Sequence, residues 1–200
     1  MRAMNALEYR LASLVHWKPR EAAVMHALEF LVAAGTTRIR RVVDMGCGPG
    51  LLAAAVTARG LRYVGIDPER AFIDRCRARG SSEDKVFLVG SVQAMPATIS
   101  ADDAFVLNGV AHHLDDGDFD RALAIARKAG ALIVCDHWRS EEKMSALARW
   151  LQAADRGKFV RAFERFERLP GFALRHRQIF TIGLGPLGLW PYFCLAYTPE

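Results

Sequence analysis

Val42-Val43-Asp44-Met45-Gly46-Cys47-Gly48-Pro49-Gly50 is the stretch that decides how the rest of this 200-residue chain is read. Its first half is apolar and β-branched, as a short buried strand requires, and its second half holds three glycines in five residues. Glycines placed there let the chain turn sharply and let backbone approach a ligand closely. Leu51 to Arg59 then reads as a helix that ends at Gly60. The glycines therefore lie where a strand ends and a helix opens, and the first N–H groups of that helix lack intrahelical partners.

Outward from this point, apolar strands and helices alternate. Strands are expected at Arg41–Met45, Arg62–Ile66, Lys85–Val89, Ala104–Leu107 and Ala131–Cys135, with further helices at Glu69–Arg79 and Asp118–Lys128. Upstream, Ala3–Trp17 and Arg20–Ala34 read as two helices separated by Pro19. Downstream, Glu141–Phe166 reads as a long helical region interrupted near Gly157. Two last strands, Phe172–Ile182 and Trp190–Thr198, have no helix between them and must pair antiparallel, or nearly so. Strands separated by helices imply a parallel sheet covered on both faces. Ligands of such sheets bind beyond the carboxyl ends of the strands, so the residues after each strand carry the functional reading.

The glycine loop lacks the Gly-Lys-Ser/Thr of a phosphate loop, and Leu51 stands where a dinucleotide fingerprint needs its third glycine or alanine. Asp44 sharpens the distinction. A carboxylate at the strand's end would repel a pyrophosphate, but it suits a ligand with an ammonium group and a sulfonium, such as S-adenosylmethionine. Asp67, followed by Pro68, ends the next strand 23 residues later, where an acid can accept both hydroxyls of a ribose.

Together these features resemble motifs I and II of the class I S-adenosylmethionine-dependent methyltransferases, over roughly Arg41 to Cys135. The resemblance implies an α/β, Rossmann-like fold: a seven-stranded, mostly parallel sheet with helices on both faces, an antiparallel last strand and an N-terminal helical lid. It implies S-adenosyl-L-methionine as cofactor, held by Asp44, Gly46, Cys47, Gly48, Gly50, Asp67 and Pro68. After the third strand the family often carries an acid for the adenine amino group. Ser91 stands there instead, Val92 can supply a backbone N–H, and Met95 fits either adenine packing or the core. Asn108 and Gly109, after the fourth strand, correspond to backbone close to the cofactor's methionine part.

The segment Asn108-Gly109-Val110-Ala111-His112-His113-Leu114 is similar to that of small-molecule methyltransferases of the ubiquinone-biosynthesis type. It lacks the Asn/Asp-Pro-Pro-Tyr/Phe of nucleic-acid amino-methyltransferases, which argues against DNA and against RNA base amines. His112 or His113, titrating near neutrality, is the candidate general base. Adjacent histidines do not readily converge on one ion, and Asp115, Asp116 and Asp136 do not match the ligand order of magnesium-dependent catechol methyltransferases, so no metal is expected. Substrate contacts are expected from Tyr9, His16, Trp17 and Arg20 at the N-terminus, and from Asp136, His137, Trp138 and Arg139 after the fifth strand. The spacing of Trp150, Phe159, Phe163 and Phe166 reads as core.

Composition is that of an ordinary globular protein, 52% apolar and 24% charged residues, enough for a sizeable core. One domain over residues 1–200 is expected, with a lid at 1–35, a cofactor-binding core at 41–136, and a C-terminal helix and hairpin at 140–200. No run of 18 uncharged apolar residues suggests a spanning helix, and Glu8, Arg10 and His16 interrupt any signal peptide. Cys47, Cys76, Cys135 and Cys194 form no CxxC pair, which suits a reducing cytoplasm. The net charge of +5 gathers at Arg156, Lys158, Arg161, Arg165, Arg168, Arg175 and Arg177, either as a solvated face or as a surface for an anionic partner. The function expected is methyl transfer from S-adenosylmethionine to an oxygen or carbon centre of a small molecule, in specialised metabolism, by a monomer or homodimer. The competing readings are a lyase, cyclase or noncatalytic module that binds the same cofactor and, further off, RNA modification.

Overall fold

The structure is a computed structural model that describes residues 6–35, 37–95, 97–138, 158–184 and 187–200, with backbone alone for 6–16, 183–184 and 187–190. Its centre is one seven-stranded sheet: β1 Arg41–Met45, β2 Arg62–Asp67, β3 Lys85–Val89, β4 Asp103–Asn108, β5 Ala131–His137, β6 Phe172–Leu184 and β7 Leu187–Pro199. The spatial order is β3-β2-β1-β4-β5-β7-β6. The pairs from β3 through β5 are parallel, and β7 runs antiparallel to both β5 and β6. The expected sheet and its antiparallel last strand are thus present.

The order of strands reverses between β1 and β4, and this switch point positions the site. Met45 lies in register with Leu107 on one side and Ile66 on the other. The loops after β1, β2 and β4 therefore emerge side by side at one end of the sheet.

Alternate strand residues feed two cores, as the two-residue period of a strand requires. Val43, Met45, Phe105 and Leu107 face one side, where α4 (Asp116–Ala126) buries Phe119, Ala122, Leu123 and Ala126. Val42, Ala104, Val106 and Ile133 face the other, covered by α1 (Ala6–Ala33) through Ala23, Val24, Ala27, Leu28 and Leu31. The shorter helices α2 (Leu52–Thr57) and α3 (Arg70–Ala78) add Leu52, Val56, Ile73 and Cys76 to this second core.

The N-terminus departs from expectation. Ala6–Ala33 is one helix with Pro19 inside it, not two helices separated at Pro19. A proline there withholds one amide from the helical ladder, but the row of buried residues from Ala23 onward packs against the sheet and outweighs that local loss. This half of α1 is core, and only its Trp17–Arg20 turn approaches the ligand end. Elsewhere, β5 continues through Asp136 and His137 into the proposed substrate segment. Helix α4 begins at Asp116, before the expected Asp118, because the Asp115 carboxylate caps it by accepting from the Asp118 N–H at 2.8 Å. Most of the expected 141–166 helix, with Trp150 and Arg156, lies outside the described residues, as does Arg139. A single helical turn is described at Glu164–Glu167. Phe163 and Phe166 are buried there, as expected, whereas Phe159 is 41% exposed.

Candidate active site

The first half of the site forms at the ends of β1 and β2. The Gly46 and Cys47 N–H groups both donate to the Ile66 carbonyl, at 2.7 and 3.0 Å, which folds the loop back over β2. Gly46 has φ +74°, and a side chain on it would collide with Val110. Glycine is therefore required both for the turn and for the contact. Gly48 donates its N–H to Asp67 Oδ2 at 2.8 Å, and the Glu69 N–H reaches Asp67 Oδ1 at 2.8 Å. These bonds aim the Asp67 carboxylate across the loop and leave lone pairs for further donors. Burial nevertheless raises the Asp67 pKa, against those two backbone bonds. Pro68, exposed, turns the chain out of β2.

Asp44 is buried, and its Oδ2 accepts the Tyr63 hydroxyl at 2.6 Å. Its Oδ1 is buried with no hydrogen-bond partner. Burial pushes this carboxyl up to about 6; the Tyr63 hydrogen bond opposes the shift, nearby Asp67 adds to it, and the Arg20 charge lowers it. A buried carboxylate oxygen with nothing to accept from is costly, and a ligand cation would satisfy it. Asn108, the last residue of β4, is likewise buried with both side-chain polar atoms unpartnered. Orphaned groups at the carboxyl ends of two adjacent strands suit a polar ligand at the switch point.

Arg20 approaches the same place from α1. A side chain at Gly109 would collide with its guanidinium. That guanidinium lies 5.5 Å from the Trp17 ring centre and 5.9 Å from that of Tyr192. Arg20 was expected on the substrate side, yet its neighbours are Gly109 and Asp44, two residues expected at the cofactor. Trp17 donates its indole N–H to Glu21 at 2.7 Å. Tyr9 and His16 belong to the part of α1 whose side chains are outside the described residues.

Beyond β3, Ser91 and Ala94 close a tight turn through their backbones, and the Ala94 N–H also reaches the Ser91 hydroxyl at 3.3 Å. Val92 is buried in the core, and half-buried Met95 packs against it.

The second half of the site forms at the ends of β4 and β5. His112 sits in a short 3-10 turn, Ala111–His113. Its Nδ1 lies 2.7 Å from Asp136 Oδ1, and its backbone N–H donates to Asp136 Oδ2 at 3.2 Å. His137 donates its backbone N–H to Asp136 Oδ1 at 2.8 Å, and its Nδ1 lies 3.2 Å from that oxygen. Asp136 is completely buried. Against the cost of that burial, the charges and hydrogen bonds of His112 and His137 hold its pKa well below the usual carboxylate range. His113 is exposed, with its ring 4.1 Å from that of His112. Half-buried Trp138 turns toward Phe163 at 5.2 Å and Phe193 at 6.2 Å, along the core.

Among the described residues, His112, Asp136 and His137 form the one group of three potential metal donors, within 4.8 Å of one another. Neighbouring ligands on an ion with bonds of 2.0–2.1 Å stand about 3 Å apart. The 2.7 Å between His112 Nδ1 and Asp136 Oδ1 is instead a hydrogen-bond distance.

Tyr63 gained importance only in the structure, while Asp136, expected among the substrate contacts, and Arg161, expected in the basic region, take different roles there. Tyr63 is found through the strand pairing that faces it toward Asp44. Asp136 is found through the continuation of β5. Arg161, one of seven basic residues in its region, carries no local signal that separates it from the others.

Comparison with known proteins agrees with this geometry. A family model described as a methyltransferase domain matches residues 42–130. An uncharacterized methyltransferase of Mycolicibacterium gilvum is 34% identical over 79 residues, which is 40% of this chain and 31% of that protein. A ubiquinone biosynthesis O-methyltransferase of Rhodopseudomonas palustris is 27% identical over 121 residues, 56% of this chain and 48% of that protein. The chain thus spans 31% and 48% of the lengths of these two curated relatives. Among solved structures, magnesium protoporphyrin IX methyltransferase from Synechocystis PCC 6803, with bound SAH, superposes with a TM-score of 0.68 at 12% identity, covering 100% of this chain and 90% of that one. The PH0226 protein of Pyrococcus horikoshii gives 0.63 at 16% identity, covering 99% and 94%; both show the shared fold. The glycine loop, the two strand-end acids and these likenesses agree: residues 42–130 carry a methyltransferase domain, in the fold of class I S-adenosylmethionine-dependent methyltransferases.

Proposed function

We propose that this chain methylates an oxygen centre, or a carbon centre activated by an enol or phenol oxygen, on a small molecule, with His112 as the general base and no metal ion. The observation that carries the reading is the buried 2.7 Å contact between His112 Nδ1 and Asp136 at the ends of β4 and β5, one residue turn from Asn108 and Gly109. An ionised Asp136 can only accept, so Nδ1 carries the hydrogen and Nε2 the lone pair. Bound S-adenosylmethionine supplies an activated methyl group, whose transfer leaves S-adenosylhomocysteine. His112 Nε2 takes the acceptor's hydroxyl proton as the new O–C bond forms, and Asp136 holds the resulting imidazolium. Asp44 meets the donor's ammonium, Asp67 its ribose hydroxyls, and Arg20 its carboxylate, while Gly46, Cys47, Gly48, Gly50, Pro68, Ser91, Val92, Asn108 and Gly109 shape its seat. Trp17, His113 and His137 border the acceptor, as would Tyr9 and His16, while Trp138 backs this wall from the core.

A small acceptor rather than RNA or DNA is supported by the ion pairing of three of the seven basic residues: Arg161 with Asp116 at 2.8 Å, Arg177 with Glu167 at 3.1 Å, and Arg165 with Asp120 at 3.7 Å. The similarity to a ubiquinone biosynthesis O-methyltransferase favours a phenolic acceptor. No helix among the described residues is long and apolar enough to cross a membrane, and work on a cytoplasmic metabolite is part of the proposal. The test is incubation of the chain with S-adenosylmethionine and a panel of catechols, hydroxyquinones and enols, after dialysis against EDTA. A product heavier by one methylene supports the reading. Saturable S-adenosylhomocysteine binding without any methylated product would favour a noncatalytic module or a lyase, and activity that returns only with added divalent metal would replace the base by a metal site.

A further inference from the structure

In the sequence, Arg161 belongs to a basic run; in the structure it leaves the surface. Its side chain is 8% exposed. Nη1 donates to the Ala111 carbonyl at 2.7 Å and to the Phe159 carbonyl at 3.3 Å. Nη2 donates to the Leu114 carbonyl at 2.9 Å and to Asp116 Oδ1 at 2.8 Å, and Nε reaches the same carboxylate oxygen at 3.2 Å. The guanidinium also lies over the Phe119 ring, 4.5 Å from its centre. Two residues earlier, the Phe159 N–H donates to the His112 carbonyl at 3.0 Å.

These bonds converge on the 3-10 turn that carries His112 and His113. Such a turn is a weak unit by itself; within this one, the His113 N–H donates to the Val110 carbonyl at 2.9 Å. Segment 158–161 takes up the Ala111, His112 and Leu114 carbonyls, while Asp136 holds the His112 N–H and ring from the opposite side. The turn is clamped between β5 and a strap 45 to 50 residues further along the chain. A planar fork of five donors can meet two carbonyls and a carboxylate together, which a lysine cannot do.

We infer that Arg161 is a positioning residue: it fixes the backbone turn that aims His112 at the acceptor, and it touches neither cofactor nor acceptor. This deepens the assignment of His112 as base and rests on it for its catalytic consequence. The structural part stands separately, because it concerns the turn alone. It also removes Arg161 from the surface offered to an anionic partner.

The experiment compares Arg161→Ala and Arg161→Lys with the unaltered chain. Amide exchange is measured at His112, His113 and Phe159, S-adenosylhomocysteine binding by calorimetry, and kcat and KM with the most active phenol of the panel. For Arg161→Ala, exchange at these amides should quicken about tenfold or more, as expected when a locally clamped turn opens. S-adenosylhomocysteine affinity should stay within about twofold. Turnover should fall by about ten- to a hundredfold through kcat, the scale expected for a misplaced catalytic group, and added guanidinium should restore part of it. Arg161→Lys should lie between. Unchanged exchange at the three amides in a folded Arg161→Ala variant would overturn the inference. So would a parallel loss of S-adenosylhomocysteine binding and turnover that Arg161→Lys fully repairs, since that marks general support of the fold. If the unaltered chain methylates nothing in the panel, the proposed function fails, while the exchange result still decides whether Arg161 clamps the turn.

Discussion

The two halves of the site are built in different ways. At the ends of β1 and β2, a contiguous glycine loop and two strand-end acids form the site, and the hydrogen bonds of the loop and of the Asp44 carboxylate to β2 join residues 19 or 20 apart. At the ends of β4 and β5, His112 depends on Asp136, 24 residues away, and its turn depends on Arg161, 50 residues from Ala111. The first half uses mostly backbone donors and glycine geometry; the second uses side chains brought together by tertiary packing. Under the proposed function, the donor seat is largely local in sequence, whereas the acceptor seat is assembled from distant parts.

The sharpest way to break this comparison is to remove the proposed base. His112→Gln should lower turnover by about a hundredfold or more, within the range for general-base catalysis, and leave S-adenosylhomocysteine affinity within about twofold. Comparable losses in both measurements would show that the halves are one unit. On the other half, Asp67→Ala should weaken S-adenosylhomocysteine binding by about tenfold or more, because charge-assisted hydrogen bonds to a ribose are lost. Unchanged affinity by calorimetry would remove Asp67 from the seat.

The smallest effect concerns Asp44 and carries the opposite sign for stability. Its pKa in the folded chain rises to about 6 from 3.8, so ionisation inside the fold is penalised. The penalty is complete above pH 6 and fades as pH falls toward the ordinary carboxylate value. Roughly 2 units correspond to at most about 3 kcal/mol. Asp44→Asn keeps an oxygen for Tyr63 and should therefore raise Tm at pH 8, with the gain shrinking through pH 6 and vanishing near pH 4. The same variant should bind S-adenosylmethionine more weakly, since it offers no charge to the ammonium, and the unaltered chain should bind it more weakly below pH 6. An unchanged Tm at pH 8 would show that the buried carboxylate is not under strain.

The donor half was legible because its signals are local. Spacing alone placed Asp44 and Asp67 at adjacent strand ends, and the glycines marked the turn between them. Tyr63 was hidden because its partner is chosen by sheet register. Arg161 was hidden because a buried arginine and a surface arginine look the same in a basic run. Pro19 misled in the other direction: it is a local breaker inside a helix whose buried row from Ala23 to Leu31 decides the outcome. The 3-10 turn of His112 has no periodicity to read, so which of the two histidines faces Asp136 emerged only from the fold. There His112 is buried and His113 exposed.

The meeting of Gly46 with Val110 has a consequence for how such enzymes diversify. Val110 fills the space that any side chain at position 46 would need, and it directly precedes the turn bearing His112. The proposed donor seat and the proposed acceptor turn therefore meet at one close contact. While Val110 holds that space, position 46 must remain glycine, and a residue larger than valine at 110 would press on the glycine turn. Grafting a foreign loop that begins after Val110 should leave the glycine turn intact, whereas Val110→Phe should disturb it.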